Sequence, residues 1–174
     1  MLRFWFEEIP AEKHFAKDRV LDAEIERRFG GWVGDVAATD ATHCWDDPDT
    51  LLAAIIATDQ FSRNIYRNSA AAYANDYLAW WLGLHAIGKG WDEHYPRERR
   101  AFVYMPFMHA EDRGLQALSV GKFELLGIEG NLKFAREHRD VVMRFGRFPS
   151  RNAALGRAST PEEAEYLSQP GAGW

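Results

Sequence analysis

Apolar residues recur along this chain with a period near 3.6, segment after segment, as expected of helices that each bury one face. From Asp18 to Phe29 (DRVLDAEIERRF), Val20, Leu21, Ile25 and Phe29 share a stripe, and Gly30-Gly31 is expected to stop the helix. Asp47-Pro48 reads as an N-cap followed by proline at the first helical position. The carboxylate accepts a free backbone N–H, and proline loses nothing in a turn whose N–H groups lack intrahelical partners. The helix predicted from there, Asp49 to about Phe61, is apolar on every side (Leu51, Leu52, Ala53, Ala54, Ile55, Ile56, Ala57) and so belongs inside the domain.

The next helix, near Ala70 to Ile87, carries Tyr73, Tyr77, Trp80, Trp81 and Leu84 on one stripe, which reads as core. Ala74, Ala79 and Ala86 elsewhere on it would let a neighbouring helix come close, and Gly88 and Gly90 end it. Pro96 opens a further helix through Arg100, Phe102, Val103 and Met105, with a kink expected at Pro106. The run Ala101 to Met108 also fits a buried strand. Helix is preferred because no other segment alternates with period two, and a lone strand would have no partner. Two more helices follow, Arg113 to Leu126 and about Asn131 to Phe145, and Thr160 with Glu163 forms a capping box before a last one. Connections are short, with no composition shift and no clean internal repeat. The pattern predicts a single all-α domain over residues 1–174, about seven main helices in an antiparallel bundle or helical-hairpin array.

Composition agrees with a packed core: 47% of the residues are hydrophobic, and seven Trp and eleven Phe supply bulk. A chain of this size buries roughly 70% of its unfolded surface and needs no covalent staples. No stretch approaches the ~20 consecutive apolar residues of a membrane span, and the start, MLRFWFEE, turns acidic too soon for a signal peptide. With one cysteine, Cys44, no internal disulfide can form, and a cytoplasmic location is expected. The net charge of −5 argues against broad nucleic-acid or anionic-membrane binding. Leu132 to Arg157 nevertheless holds seven basic residues against two acidic ones, which leaves the rest strongly acidic. Such asymmetry marks either an anion site or two parts of a domain that attract each other.

Three motifs concentrate unusual polar residues. In Asp59-Gln60-Phe61-Ser62-Arg63-Asn64, Asp59 is placed at the C-terminal end of an apolar helix, where the helix dipole disfavours a carboxylate. Burial there calls for a cation, and Arg63 lies four residues on, within helical reach. The pair is either a structural ion pair or part of a ligand site. In Met105-Pro106-Phe107-Met108-His109-Ala110-Glu111-Asp112, His109 leaves an apolar run and meets two carboxylates. Imidazole serves as acid, base or metal ligand near neutral pH. No HExxH or Cys/His pattern accompanies it, so no metal or other cofactor is implied. Asp112 as an N-cap and His109 as a hydrogen-bonded core residue is the structural alternative. In Phe145-Gly146-Arg147-Phe148-Pro149-Ser150-Arg151-Asn152, continued by Leu155-Gly156-Arg157, arginines sit in a predicted loop and suit carboxylate or phosphate recognition. The same arginines could instead pair with the acidic remainder, for example Asp59, Glu111 or Asp112. His138 lies on the stripe Phe134, His138, Val141, Val142, Phe145 and reads as a core histidine; Cys44 reads as an ordinary thiol.

FWFEEIP, DQFSRNIYR, FVYMPFMHAED followed by Gln116 and Ser119, and HRDVVMRFGRFPSRNAALGRASTPEE together resemble the bacterial domain-of-unknown-function family numbered 924, over essentially the whole chain. The resemblance implies a tetratricopeptide-like α-α array and carries no established activity. The family's motif residues fall on Asp59, Gln60, Arg63 and Asn64, on His109 and Glu111, and on Arg147, Arg151, Asn152 and Arg157. Ser62 stands where the family usually has proline, and Ser150 where it usually has histidine, which tilts the reading away from a His–His mechanism or metal pair.

The leading expectation is that the three motifs form one polar site for a small anionic metabolite. Arg63, Arg147 and Arg151 would clamp it, Asn64 and Asn152 would orient it, and Asp59 would hold the arginine geometry. His109, biased by Glu111, would be the general acid or base if catalysis occurs. The alternative is a tetratricopeptide-like scaffold for a peptide or protein partner, with the polar motifs as internal struts. RNA binding through Leu132 to Arg157 ranks last and predicts steep salt dependence.

Overall fold

The computed structural model describes residues 1–173, and every regular element among them is helical. The chain divides into two compact units, residues 1–67 with 71–106, and residues 68–70 with 107 onward.

In the first unit, α1 (Arg19–Ala38) opens on Asp18, whose carboxylate accepts from Val20 N at 2.9 Å and Leu21 N at 3.2 Å. It runs straight through Gly30-Gly31, the expected stop. Val33 and Val36 extend the buried stripe of Leu21 and Ile25, and burying a valine (roughly 1.5–3 kcal/mol) outweighs the ~1 kcal/mol a helical glycine costs. Asp47 caps α2 (Pro48–Ile56), accepting from Thr50 N at 2.7 Å, and Leu51 to Ile56 are all buried as the uninterrupted apolar run required.

The chain does not leave the helix at Asp59. Ala57–Phe61 forms a single π-turn, in which the Ser62 N–H reaches back to Ala57 O, and α3 (Ser62–Ile65) continues. Asp59 therefore lies inside a helical run, not at its end. The π-turn and α3 pack against α1, and α2 packs against α4 (Asp76–Gly88). The inner face of α4 is Leu78, Ala79, Leu82, Gly83 and Ala86, with alanines and glycine admitting the α2 backbone. That reverses the expected orientation: of the stripe read as core, Tyr77 is 65% and Leu84 37% exposed. Phe4, Trp5 and Phe102 meet Phe61 or Trp5 edge-to-face, and Phe29 packs tilted on Phe4 and Phe61, around α1 and the π-turn.

Helix α5 (Arg97–His109) is continuous through Pro106, which disposes of the strand alternative. In the second unit, Asp112 caps α6 (Arg113–Leu126) by accepting from Leu115 N at 2.8 Å. Gly127, at φ +70°, ends α6 in the left-handed conformation that an L side chain avoids. Then α7 (Glu129–Phe145) folds back along α6 and stops at Gly146 in the same way. A short 3₁₀ turn, Pro149–Arg151, and α8 (Pro161–Leu167), with the predicted Thr160–Glu163 capping box, complete the unit. No helix among the described residues is long and apolar enough to cross a membrane.

Candidate functional site

The first motif is built on the π-turn, whose extra residue rotates Asp59 and Gln60 inward; π-turns within α-helices occur frequently at functional sites. Asp59 is 1% exposed. Gln60 Nε2 donates to its carboxylate, and Arg63 Nη1 lies 3.3 Å from Asp59 Oδ1 while Nη2 lies 2.9 Å from Asp76 Oδ1. Burial works against the Arg63 charge, but Asp76 and Asp59 more than compensate and hold it above the ordinary range. Asn64 and Arg67 both donate to Asp22, at 2.7–2.9 Å. Here carboxylates outnumber guanidinium groups, and Arg63 is occupied on both edges. That is the chemistry of a buried strut, and an anion clamp at Arg63 would have to displace Asp59 or Asp76.

The second motif from Phe107 onward and the third motif lie in the second unit and meet there. Arg157 forks onto Glu111, Nη1 to Oε2 at 2.6 Å and Nη2 to Oε1 at 2.8 Å, and adds Asn152 Oδ1 at 2.9 Å and Phe148 O at 3.1 Å. Phe148 N also donates to Glu111, at 2.7 Å. Burial would raise the Glu111 pKa, but Arg157 and the Phe148 N–H outweigh it and bring it below the usual carboxylate range. Glu111 is thus engaged by the third motif.

Arg147 forks onto Glu163, Nε to Oε1 at 2.6 Å and Nη2 to Oε2 at 2.8 Å, and reaches Ala158 O at 3.0 Å. Glu163 simultaneously closes the α8 capping box and accepts from Asn152 at 3.3 Å. The Arg147 hydrogen bonds lead the causes that bring its pKa down to about 2. Arg151 donates to His109 O at 2.8 Å and lies 4.5 Å over the Phe148 ring.

The last carbonyls of a helix have no intrahelical donor. At the end of α5 that role falls to side chains: Gln116 Nε2 donates to Met108 O at 2.7 Å and Ala110 O at 2.8 Å, and Arg151 takes His109 O between them. Both Gln116 amide hydrogens are used, which fixes its orientation and leaves Oε1 as an acceptor. That oxygen and Ser119 Oγ, one turn further along α6, are fully buried and have no hydrogen-bond partner among the described residues. The His109 and His138 rings are 5.9 Å apart, and His138 contacts Phe148 edge-on at 5.5 Å. His138 Nδ1 is 2.8 Å from Phe134 O; a carbonyl only accepts, so Nδ1 carries a proton.

Within the second unit the structure therefore brings together His109, Glu111, Arg147, Arg151, Asn152 and Arg157. Asp59, Gln60, Arg63 and Asn64 belong to a network inside the first unit. Sequence reasoning missed Asp22, Arg67 and Asp76 as partners of the first motif, and took Glu163 for a helix cap alone. A signal for Gln116 and Ser119 was present: two polar residues share the stripe Gln116, Ser119, Phe123, Leu126, which the fold buries.

A solved structure resembles the chain throughout: that of a protein of unknown function, ATU0120, from Agrobacterium tumefaciens. It is 38% identical, the match covers 96% of this chain and 94% of that one, and the TM-score is 0.90. No curated protein matches. The family model described as "Bacterial protein of unknown function (DUF924)" matches residues 1–171, over which the helices, the caps and all three polar motifs are distributed, and the chain accordingly belongs to the DUF924 family.

Proposed function

We propose that the protein is a helical scaffold that acts by binding a peptide or protein partner, with the polar motifs as its internal struts. The observation that carries this reading is the pairing of the motif arginines: Arg147 with Glu163 and Arg157 with Glu111 in two-point forks, and Arg63 between Asp59 and Asp76. A clamp for an anionic metabolite needs guanidinium donors still open, whereas each of these forks is directed at a carboxylate. Their placement supports a structural purpose. Arg157 and Glu111 pin the loop after α7 to the end of α5, and Arg147 pins the start of α8.

The test is a thermal-shift series with phosphate, sulfate, and mono- and dicarboxylates at constant ionic strength, alongside a double-mutant cycle on Arg147 and Glu163. Struts predict a coupling energy above about 1.5 kcal/mol in stability and no anion-specific shift. A shift given by one anion and abolished by Arg147→Ala would overturn the reading.

One observation favours the metabolite reading as a second: Gln116 Oε1 and Ser119 Oγ are buried acceptors without donors, a rare condition that a bound molecule or ordered water relieves. On that reading the ligand presents N–H or O–H groups beside His109, and His109 remains its acid or base.

A further inference from the structure

Between the buried pair Phe4 and Trp5 and the start of α1, residues 9–17 cross the surface of the first unit as a strap. Every residue from 10 to 17 is exposed except one, His14. Its ring stacks on Trp5 at 4.3 Å, with 16° between the planes. It meets Phe6, Phe15 and the α5 residue Phe102 near a right angle, at 6.3, 6.2 and 5.6 Å. Trp5 is fully buried and Phe102 nearly so, so the imidazole joins an exposed segment to the core. His14 Nε2 lies 2.8 Å from Trp5 O; a carbonyl only accepts, so Nε2 carries a proton. The other side-chain ties of the strap are slight. Lys13 reaches Asp18 at 3.3 Å in a solvent-screened pair, and Phe15, itself exposed, stacks on Phe102 at 6.2 Å.

We propose that residues 9–17 are an acid-released cover, latched on Trp5 by the neutral imidazole of His14 and let go when that ring gains a proton. Histidine is the side chain whose charge changes near neutral pH, and here the change falls on the strap's one inward anchor. Burial among the aromatic rings penalises the charged form and holds His14 below its ordinary 6.5, although the Trp5 carbonyl, the Glu12 carboxylate and the Ile9 backbone act the other way. The remaining charges nearby have partners of their own. Arg99 of α5 lies over Phe6 at 5.0 Å and 3.7 Å from Glu7, Glu8 is shared by Arg3 and Arg28, and Lys13 is drawn to Asp18. A group whose folded pKa is depressed contributes in full above its unfolded value, so the latch holds above pH 6.5 and weakens as pH falls below it. Glu8 and Asp18 are held below the ordinary carboxylate range by their hydrogen bonds and keep their charge through that window. Letting go is a local opening that leaves Phe4 and Trp5 seated, and it bares the ring faces of Trp5 and Phe102 that His14 covers at neutral pH. This inference rests on the strap alone and is independent of whether the arginine motifs are struts.

The experiment is residue-resolved amide hydrogen exchange of the full chain by NMR, from about pH 7.5 to about pH 5 and corrected for the intrinsic pH dependence of exchange, with titration of the His14 ring alongside. The Lys13, His14 and Ala16 N–H groups report on the strap through their bonds to the Pro10, Ala11 and Lys13 carbonyls, and the amides of α2 serve as the reference. His14 is expected to titrate below 6.5, and strap protection to fall about threefold or more toward acid while α2 stays level. His14→Phe keeps a ring against Trp5 but cannot titrate, so its strap exchanges at a rate independent of pH. His14→Ala removes the latch and loosens the strap already at neutral pH. A His14 ring titrating at or above 6.5 overturns the proposal. So does strap protection that stays level in the unaltered chain, an acid-induced loss that persists in His14→Phe, or a His14→Ala strap as protected as the original.

Discussion

Replacing Glu163 by Gln isolates one charge in the network that holds α8. Glutamine keeps the shape and one carbonyl acceptor, so it can still take the Thr160 N–H and one bond from Arg147; what disappears is the negative charge facing the Arg147 fork. Glutamine thus imitates the protonated acid, and its cost is set by how far the folded protein depresses the Glu163 pKa. That pKa lies at about 2 against an ordinary 4.5. At ~1.36 kcal/mol per pKa unit, the ionised carboxylate stabilises the fold by about 3 kcal/mol near pH 7.

A carboxylate depressed in the folded state contributes in full above its unfolded pKa and loses that contribution as pH falls toward its folded pKa. The window is therefore roughly pH 4.5 down to 2. Linkage leaves less than half of that contribution by pH 3. Urea unfolding followed by far-UV circular dichroism suits an all-helical chain. Tryptophan fluorescence is dominated by the other unit, because six of the seven tryptophans, Trp5 to Trp91, lie in the first unit. The expected penalty for Glu163→Gln is about 3 kcal/mol near pH 7, at least halved by pH 3. A penalty equal at both pH values, or below ~0.5 kcal/mol at neutrality as for an exposed surface pair, would refute the reasoning.

Other outcomes follow from the same geometry. Arg63→Met leaves Asp59 buried without its guanidinium and should cost about 3–5 kcal/mol in chemical denaturation. Arg157→Ala should cost less, about 2 kcal/mol, because both it and Glu111 are roughly a quarter exposed and solvent screens part of the loss. Gly31→Ala should raise stability by roughly 0.5–1 kcal/mol, since α1 passes through that residue and the new methyl meets nothing within 4 Å. For Ser119→Ala, a change within ~0.5 kcal/mol is expected if nothing bonds its hydroxyl, whereas a loss above ~1 kcal/mol would show that it holds a bound group and would favour the metabolite reading.

Where the determining forces are local, residues alone were enough. Asp47 and Thr160 cap the helices they were expected to cap, and Asp112 takes the cap role weighed as the structural alternative, because an N-cap is satisfied by a carboxylate or hydroxyl within three residues of the N–H it takes. The all-helical class followed from apolar spacing, and α6 spans Arg113–Leu126 as the spacing predicted. Only tertiary structure decided which partner each long-range charge would choose. Arg147 and Arg157 are equivalent in sequence terms, and nothing local assigns one to Glu163 and the other to Glu111, 46 residues away.

The same holds for which side of α4 turns inward. Periodicity ranks faces by hydrophobicity, and the aromatic stripe ranks high. Close packing against α2 selected instead the face whose alanines and glycine let two backbones approach. Helix ends under tertiary control, such as α1 continuing past its glycines and the run from α2 through the π-turn to α3, depend on burial summed over distant residues, to which a local stop signal is blind. Sequence by itself thus set the helical alphabet and its punctuation, because those energies are spent within a few residues. The pairing of arginines and the choice of buried face belong to the fold, because their energies exist only once remote segments have met.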